Sequence, residues 1–138
     1  MRIGPGRAAR AALSPEAVLA AGCGTAGDRR DARAVTQRFI DALHGRSGER
    51  ACAALDAAAR QALEQQAKAP CVRAVTTLQI AARRVAHAVV YLDDARVDLA
   101  GGRSGEAVFL GRTPSGWRIS AAGCTPQGER PYDCDLEA

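Results

Sequence analysis

The segment RVAHAVVYLDDARVDLAGGRSGEAVFLGRTPSGWRISAA, residues 84–122, decides the architecture. Val85, His87, Val89 and Tyr91 alternate with Ala86, Ala88, Val90 and Leu92. A period of two sends successive side chains to opposite faces, so residues 85–92 are predicted to form a strand with those two sets on its two sides. Asp93-Asp94 supplies turn chemistry, and residues 95–100 resume the alternation through Val97 and Leu99. Gly101-Gly102 turns the chain into residues 106–112, EAVFLGR, and Pro114-Ser115-Gly116 turns it again into residues 117–122, WRISAA. Four strands joined by tight turns read as an antiparallel meander.

Upstream the period is helical. Val35, Phe39 and Leu43 recur every four residues from Asp31, with Asp28 or Asp31 as a cap and Gly45 as a stop. Ser47 suits the cap of a short helix carrying Ala51, Cys52 and Leu55, and Asp56 suits the cap of another with Ala59, Ala62 and Leu63 inward. Pro70 ends that helix. In residues 71–80, Val72, Ala74, Thr76, Leu78 and Ile80 alternate like a strand while Val75 and Leu78 fit a helix turn, and a short helix followed by a loop is the preferred reading. Helices first and strands afterwards give an α+β class, with N-terminal helices packed on one face of a four-stranded antiparallel meander. By analogy alone, the topology is similar to cystatin-like and nuclear-transport-factor-two-like cone folds.

The chain has 138 residues, room for one domain. Much of its 47% hydrophobic content is alanine, and the aromatics amount to two Phe, two Tyr and one Trp. So thin a core gains from covalent support. The formal charge is +4, falling to about +2 without residues 1–22, and the basic residues are scattered with no aromatic platform between them. No nucleic-acid partner is expected.

Residues 1–22 are read as a leader. Arg2, Arg7 and Arg10 supply a positive start, and an apolar stretch runs to small residues before Cys23, with Pro15 and Glu16 interrupting it. Leu19-Ala20-Ala21-Gly22-Cys23 resembles a bacterial lipobox, in which the cysteine thiol takes a diacylglycerol. The competing reading is a soluble N-terminal helix with an unmodified cysteine. Residues 23–30 are expected to be a small, polar tether, and residues 31–138 the single domain.

From Cys23 onward the chain resembles an actinobacterial (Streptomyces-type) lipoprotein family with no assigned reaction. The resemblance lies in the GT-G-DRRDA run, the AC-AL helix, the PC pair at Pro70-Cys71, and the closing GWRISAAGCTP with PYDC at residues 131–134. It implies a lipid anchor at Cys23 and an extracytoplasmic place on the outer face of the cell membrane. It lends no catalytic residues.

The five cysteines are Cys23, Cys52, Cys71, Cys124 and Cys134. Lipidation of Cys23 leaves four for two bridges, as suits an exported protein. Four cysteines allow three pairings. The local one, Cys52 with Cys71 and Cys124 with Cys134, closes the shortest loops and is the one expected. The spacing holds no C-x-x-C pair, so neither a zinc site nor a thiol-redox site is expected.

Few residues carry chemical signals. His87, Tyr91 and Trp117 are the candidate polar lining of a cone pocket, although a partly buried strand histidine and a core tryptophan account for His87 and Trp117 more simply. His44 ends a helix, where the dipole favours a cation. Asp93, Asp94 and Asp98 offer too few oxygens in one loop for calcium. No triad order, nucleophile elbow or phosphate loop is present, and no cofactor or metal is expected. The expectation is a membrane-anchored, non-enzymatic binding or interaction module. Its partners would be the membrane lipid through Cys23 and an envelope protein or small molecule. The alternative is a small-molecule binder or cyclase-like enzyme with a pocket between sheet and helices.

Overall fold

The computed structural model describes residues 25–138; the leader and Cys23 lie outside them. Among the described residues four helices come first: α1 (Thr25–His44), α2 (Gly48–Ala53), α3 (Ala57–Ala67) and α4 (Cys71–Ala74), the last tightening into a 3₁₀ turn at Val75–Thr77. Five strands follow: β1 (Arg84–Tyr91), β2 (Asp94–Ala100), β3 (Ala107–Thr113), β4 (Gly116–Gln127) and β5 (Arg130–Glu137). They pair in sequence order, every pair antiparallel. The fold is α+β with a meander sheet.

The helix signals act where the sequence places them. Ala32, Val35, Thr36, Phe39 and Ile40 form the buried stripe of α1. The Ser47 hydroxyl accepts from the Arg50 N–H at 3.4 Å, and the Asp56 carboxylate from the Ala59 N–H at 2.7 Å. Lys68 closes α3 in the left-handed conformation. Gly48 starts α2 against α4 so closely that a Cβ there would overlap the Val72 carbonyl.

The segment between α2 and α3 runs alongside the sheet. The Asp56 N–H donates to the Ile119 carbonyl and the Ile119 N–H to the Ala54 carbonyl, each at 2.8 Å, so Leu55 bridges β4 in parallel. The core lies between the helices and one sheet face. Phe39, Ile40, Val97, Val108, Leu110, Ile119 and Leu136 are all at most 1% exposed there.

Three expectations change. The tether at residues 23–30 is not a tether over its described part: Thr25 already opens α1. The first turns are held from outside, because Arg112 grips Asp28 through two contacts of 3.1–3.2 Å. The sheet has five strands, not four. Arg130–Glu137 adds β5 to β4, with Cys124 opposite Cys134 and Leu136 buried. Finally, β1 does not keep one face throughout. Val85 pairs with Leu99 but Ala88 with Val97, so Ala86 and His87 together oppose Asp98. This bulge shifts the alternation by one residue. Val85, Ala88 and Val90 therefore turn inward, while His87, Val89 and Tyr91 turn outward.

Candidate functional site

Along α1, residues three or four apart share a face, so Val35, Arg38, Asp41 and Ala42 form one stripe at the margin of the core. Val35 and Ala42 are buried, and Arg38 and Asp41 are exposed above them. Helix α2 runs beside this stripe with Arg50 and Ala53, and β4 contributes Arg118. These elements enclose a groove of about 370 Å³ whose floor is Val35, Ala42 and Ala54. A second hollow of about 260 Å³ shares Val35, Arg38 and Arg118 and extends the groove toward Arg112 and the β3–β4 turn.

Three guanidinium groups thus line one continuous depression. Arg118 Nη1 donates to the Trp117 carbonyl at 2.8 Å, and Arg50 Nε to the Ser47 hydroxyl at 3.2 Å. Those bonds orient the two side chains and leave most of their donors open. Among the described residues none of the three forms an ion pair. Asp41 lies on the rim, where its carboxylate accepts from Gln37 Nε2 at 3.0 Å, and Asp31 lies on the rim of the extension. An arginine fork suits a carboxylate or phosphate, which it can grip through two parallel bonds.

Three other arginines, Arg96, Arg103 and Arg112, are matched by carboxylates. Arg96 meets Asp98 at 2.9 Å, and Arg103 meets the buried Glu106 at 3.2 Å and Asp135 at 3.1 Å. Arg112 meets Asp28 at 3.1 Å and Asp93 at 3.2 Å. Hydrogen bonding from Arg112 holds the Asp28 carboxyl below the usual carboxylate range. The buried Trp117 indole N–H has no partner at hydrogen-bonding geometry among the described residues.

The structure does not bring His87, Tyr91 and Trp117 together. His87 and Tyr91 stand on the outer sheet face, 69% and 74% exposed, whereas Trp117 is buried at 3% on the inner face. The sheet itself lies between them. His87 Nε2 instead lies 2.9 Å from Asp98, beside Arg96. The cone-pocket lining is therefore corrected: the space between helices and sheet is filled by Phe39, Ile40, Val97, Val108, Leu110 and Ile119. His44 ends α1, where its Nε2 lies 2.9 Å from the Ala82 carbonyl.

The cysteines fall into two bridges, Cys52–Cys71 with Cα atoms 6.2 Å apart and Cys124–Cys134 with Cα atoms 3.9 Å apart. The first ties α2 to α4 and so fixes the wall of the groove that carries Arg50. The second crosses the β4–β5 ladder.

Sequence reading missed Arg38, Arg50 and Arg118. Arg38 falls three residues after Val35, at the edge of the apolar stripe, and that was the one local signal. Among the described residues no group of three His, Cys, Asp or Glu side chains is placed to hold a metal, and no helix is long and apolar enough to cross a membrane. No family model, no curated protein and no solved structure matches this chain.

Proposed function

We propose that this protein is an exported, lipid-anchored module of the bacterial cell envelope that binds its partner without catalysing a reaction. Its ligand surface is the arginine groove, which receives an anionic group, a carboxylate or a phosphate, of that partner. The observation that carries this reading is the convergence of Arg38, Arg50 and Arg118 on one apolar-floored depression, none of them in an ion pair among the described residues. Two disulfides suit an oxidising, extracytoplasmic compartment. They engage four of the five cysteines and leave Cys23, the lipobox residue, for the anchor.

Two experiments test the reading. Thermal shift against phosphate, citrate and short acidic peptides should raise Tm for at least one of them, by about 2.7 kcal/mol of stabilisation at a hundred times Kd. Arg38→Ala with Arg118→Ala should abolish that rise while leaving the unliganded Tm near wild type. No rise with any anion rejects the groove. Fractionation of cells carrying wild type or Cys23→Ser tests the anchor: the wild type should travel with membranes, and equal membrane partitioning of the serine variant rejects lipidation.

A further inference from the structure

Four large apolar side chains stand exposed among the described residues, and three of them, Val89, Tyr91 and Leu92, gather at the end of the first hairpin. Tyr91 is 74% exposed and Leu92 73%. Neither packs on the core. Leu92 also sits at φ 55°, in the left-handed region. A bulky apolar residue is strained there, and Asn or Gly would be accommodated more easily at a hairpin tip. Folding by itself gives no reason to place leucine at this position.

The tip has a fixed neighbour. Arg112 Nε bonds Asp93 at 3.2 Å and its Nη2 reaches the Leu92 carbonyl at 3.4 Å. The same guanidinium bonds both oxygens of Asp28 in the first turns of α1, at 3.2 and 3.1 Å. One side chain therefore clamps the hairpin tip to the start of the helix. Thr25 opens that helix and follows Cys23 by two positions. Two residues of chain reach at most about 7 Å in any conformation. A lipid on Cys23 accordingly brings this end of the domain to the bilayer.

We infer that the Tyr91–Leu92 tip is a membrane-docking element that enters the headgroup and upper acyl region of the bilayer beside the Cys23 lipid. The inference rests on the lipid anchor proposed above. A tyrosine with an apolar ring and a polar hydroxyl suits that interface, and leucine suits the layer beneath it. Arg29, Arg30 and Arg33 are exposed on the opening turns of α1 and face anionic headgroups at the same end. Asp94 is an exposed carboxylate there too, while that of Asp93 is matched by Arg112. Two attachments, a lipid and an inserted tip, hold the domain in one orientation. The groove extension, bordered by Arg112, Ser115 and Gly116, then opens close to the membrane surface.

The test uses the full chain, lipidated in a bacterial host and reconstituted into phosphatidylglycerol–phosphatidylethanolamine vesicles whose acyl chains carry bromine, a contact quencher of tryptophan. Tyr91→Trp reports the tip, Ser104→Trp reports the opposite end of the sheet, and wild type gives the Trp117 background. Emission from position 91 should fall on brominated vesicles relative to unbrominated ones, with position 104 and wild type unchanged. Intact mass gives the lipid state separately. A lipidated chain with no quenching at position 91, or with equal quenching at 104, overturns the docking tip and leaves the anchor standing. A chain without lipid overturns the anchor and the tip together. Tyr91→Ser with Leu92→Asn should keep the wild-type Tm and speed transfer of the lipidated protein between vesicles; an unchanged transfer rate also overturns the tip.

Discussion

Arg112 lies over the ring of Trp117, its guanidinium carbon 4.4 Å from the ring centroid, and the two residues are direct partners across the β3–β4 hairpin. The stack caps the core where the sheet meets the start of α1. It places the guanidinium where Asp28, Asp93 and the Leu92 carbonyl converge. A planar, fixed-charge group can stack and form forked bonds at once, so lysine is no substitute here.

Arg112→Lys and Arg112→Ala should both loosen the first turns of α1. Hydrogen exchange at residues 25–30 should accelerate while exchange at Phe39 and Ile40 stays near wild type. Unchanged exchange at the helix start would mean that the helix holds itself there.

The same contact sets a pH dependence. The Asp28 pKa is lowered in the folded chain, chiefly by its hydrogen bonds from Arg112. The unfolded side chain titrates at about 4, so the stabilisation is complete above that pH and is lost as pH falls through the lower folded value. Protection of the helix-start amides, relative to the intrinsic exchange rate at each pH, should fall on acidification below about pH 4. Asp28→Asn should remove that component. The pair is exposed, so added salt should weaken it at neutral pH.

Trp117 is 3% exposed in the core face of β4. Trp117→Ala should cost about 3–5 kcal/mol, read as a fall in the urea midpoint at constant slope. Total stability for such a domain is about 5–15 kcal/mol, so this variant is close to unfolding. A near-wild-type midpoint would show that the indole contributes little to packing.

The bridges close chain separations of 19 and 10 residues. Loop entropy gives about 3 kcal/mol for each, slightly more for the longer. Replacing Cys52 and Cys71 by alanine should therefore lower Tm at least as far as replacing Cys124 and Cys134. Non-reducing tryptic mapping should join residues 51–60 to residues 69–73. Cleavage after Glu129 should leave its two products joined through Cys124 and Cys134. A link between the helical half and the sheet would overturn the pairing.

Gly48→Ala should destabilise by about 1–3 kcal/mol, because the new methyl would collide with the Val72 carbonyl and push α2 from α4. It should also disturb the Cys52–Cys71 wall of the groove. A melting temperature equal to wild type would show that the helix pair yields easily.

Much of the architecture is local and was legible in the chain. Ser47 and Asp56 cap helices because their short oxygens reach free N–H groups one turn ahead. The period of two and the Gly and Pro turns set the first four strands, since pleating and turn geometry depend on adjacent residues. The pairs Cys52–Cys71 and Cys124–Cys134 follow from short loops. What depends on distant partners could not be read this way. The segment RPYDCDLE becomes β5 because β4 offers an edge and Leu136 finds the core, although its aspartates disfavour a strand. Thr25–Arg30 is helical with Arg112 holding Asp28 from 84 positions away. The β1 bulge puts Val85 on the face opposite His87, Val89 and Tyr91 through pairing with β2, which no count along β1 reveals. Arg38, Arg50 and Arg118 come from two helices and a strand, and only the packing of those elements turns three scattered charges into one groove.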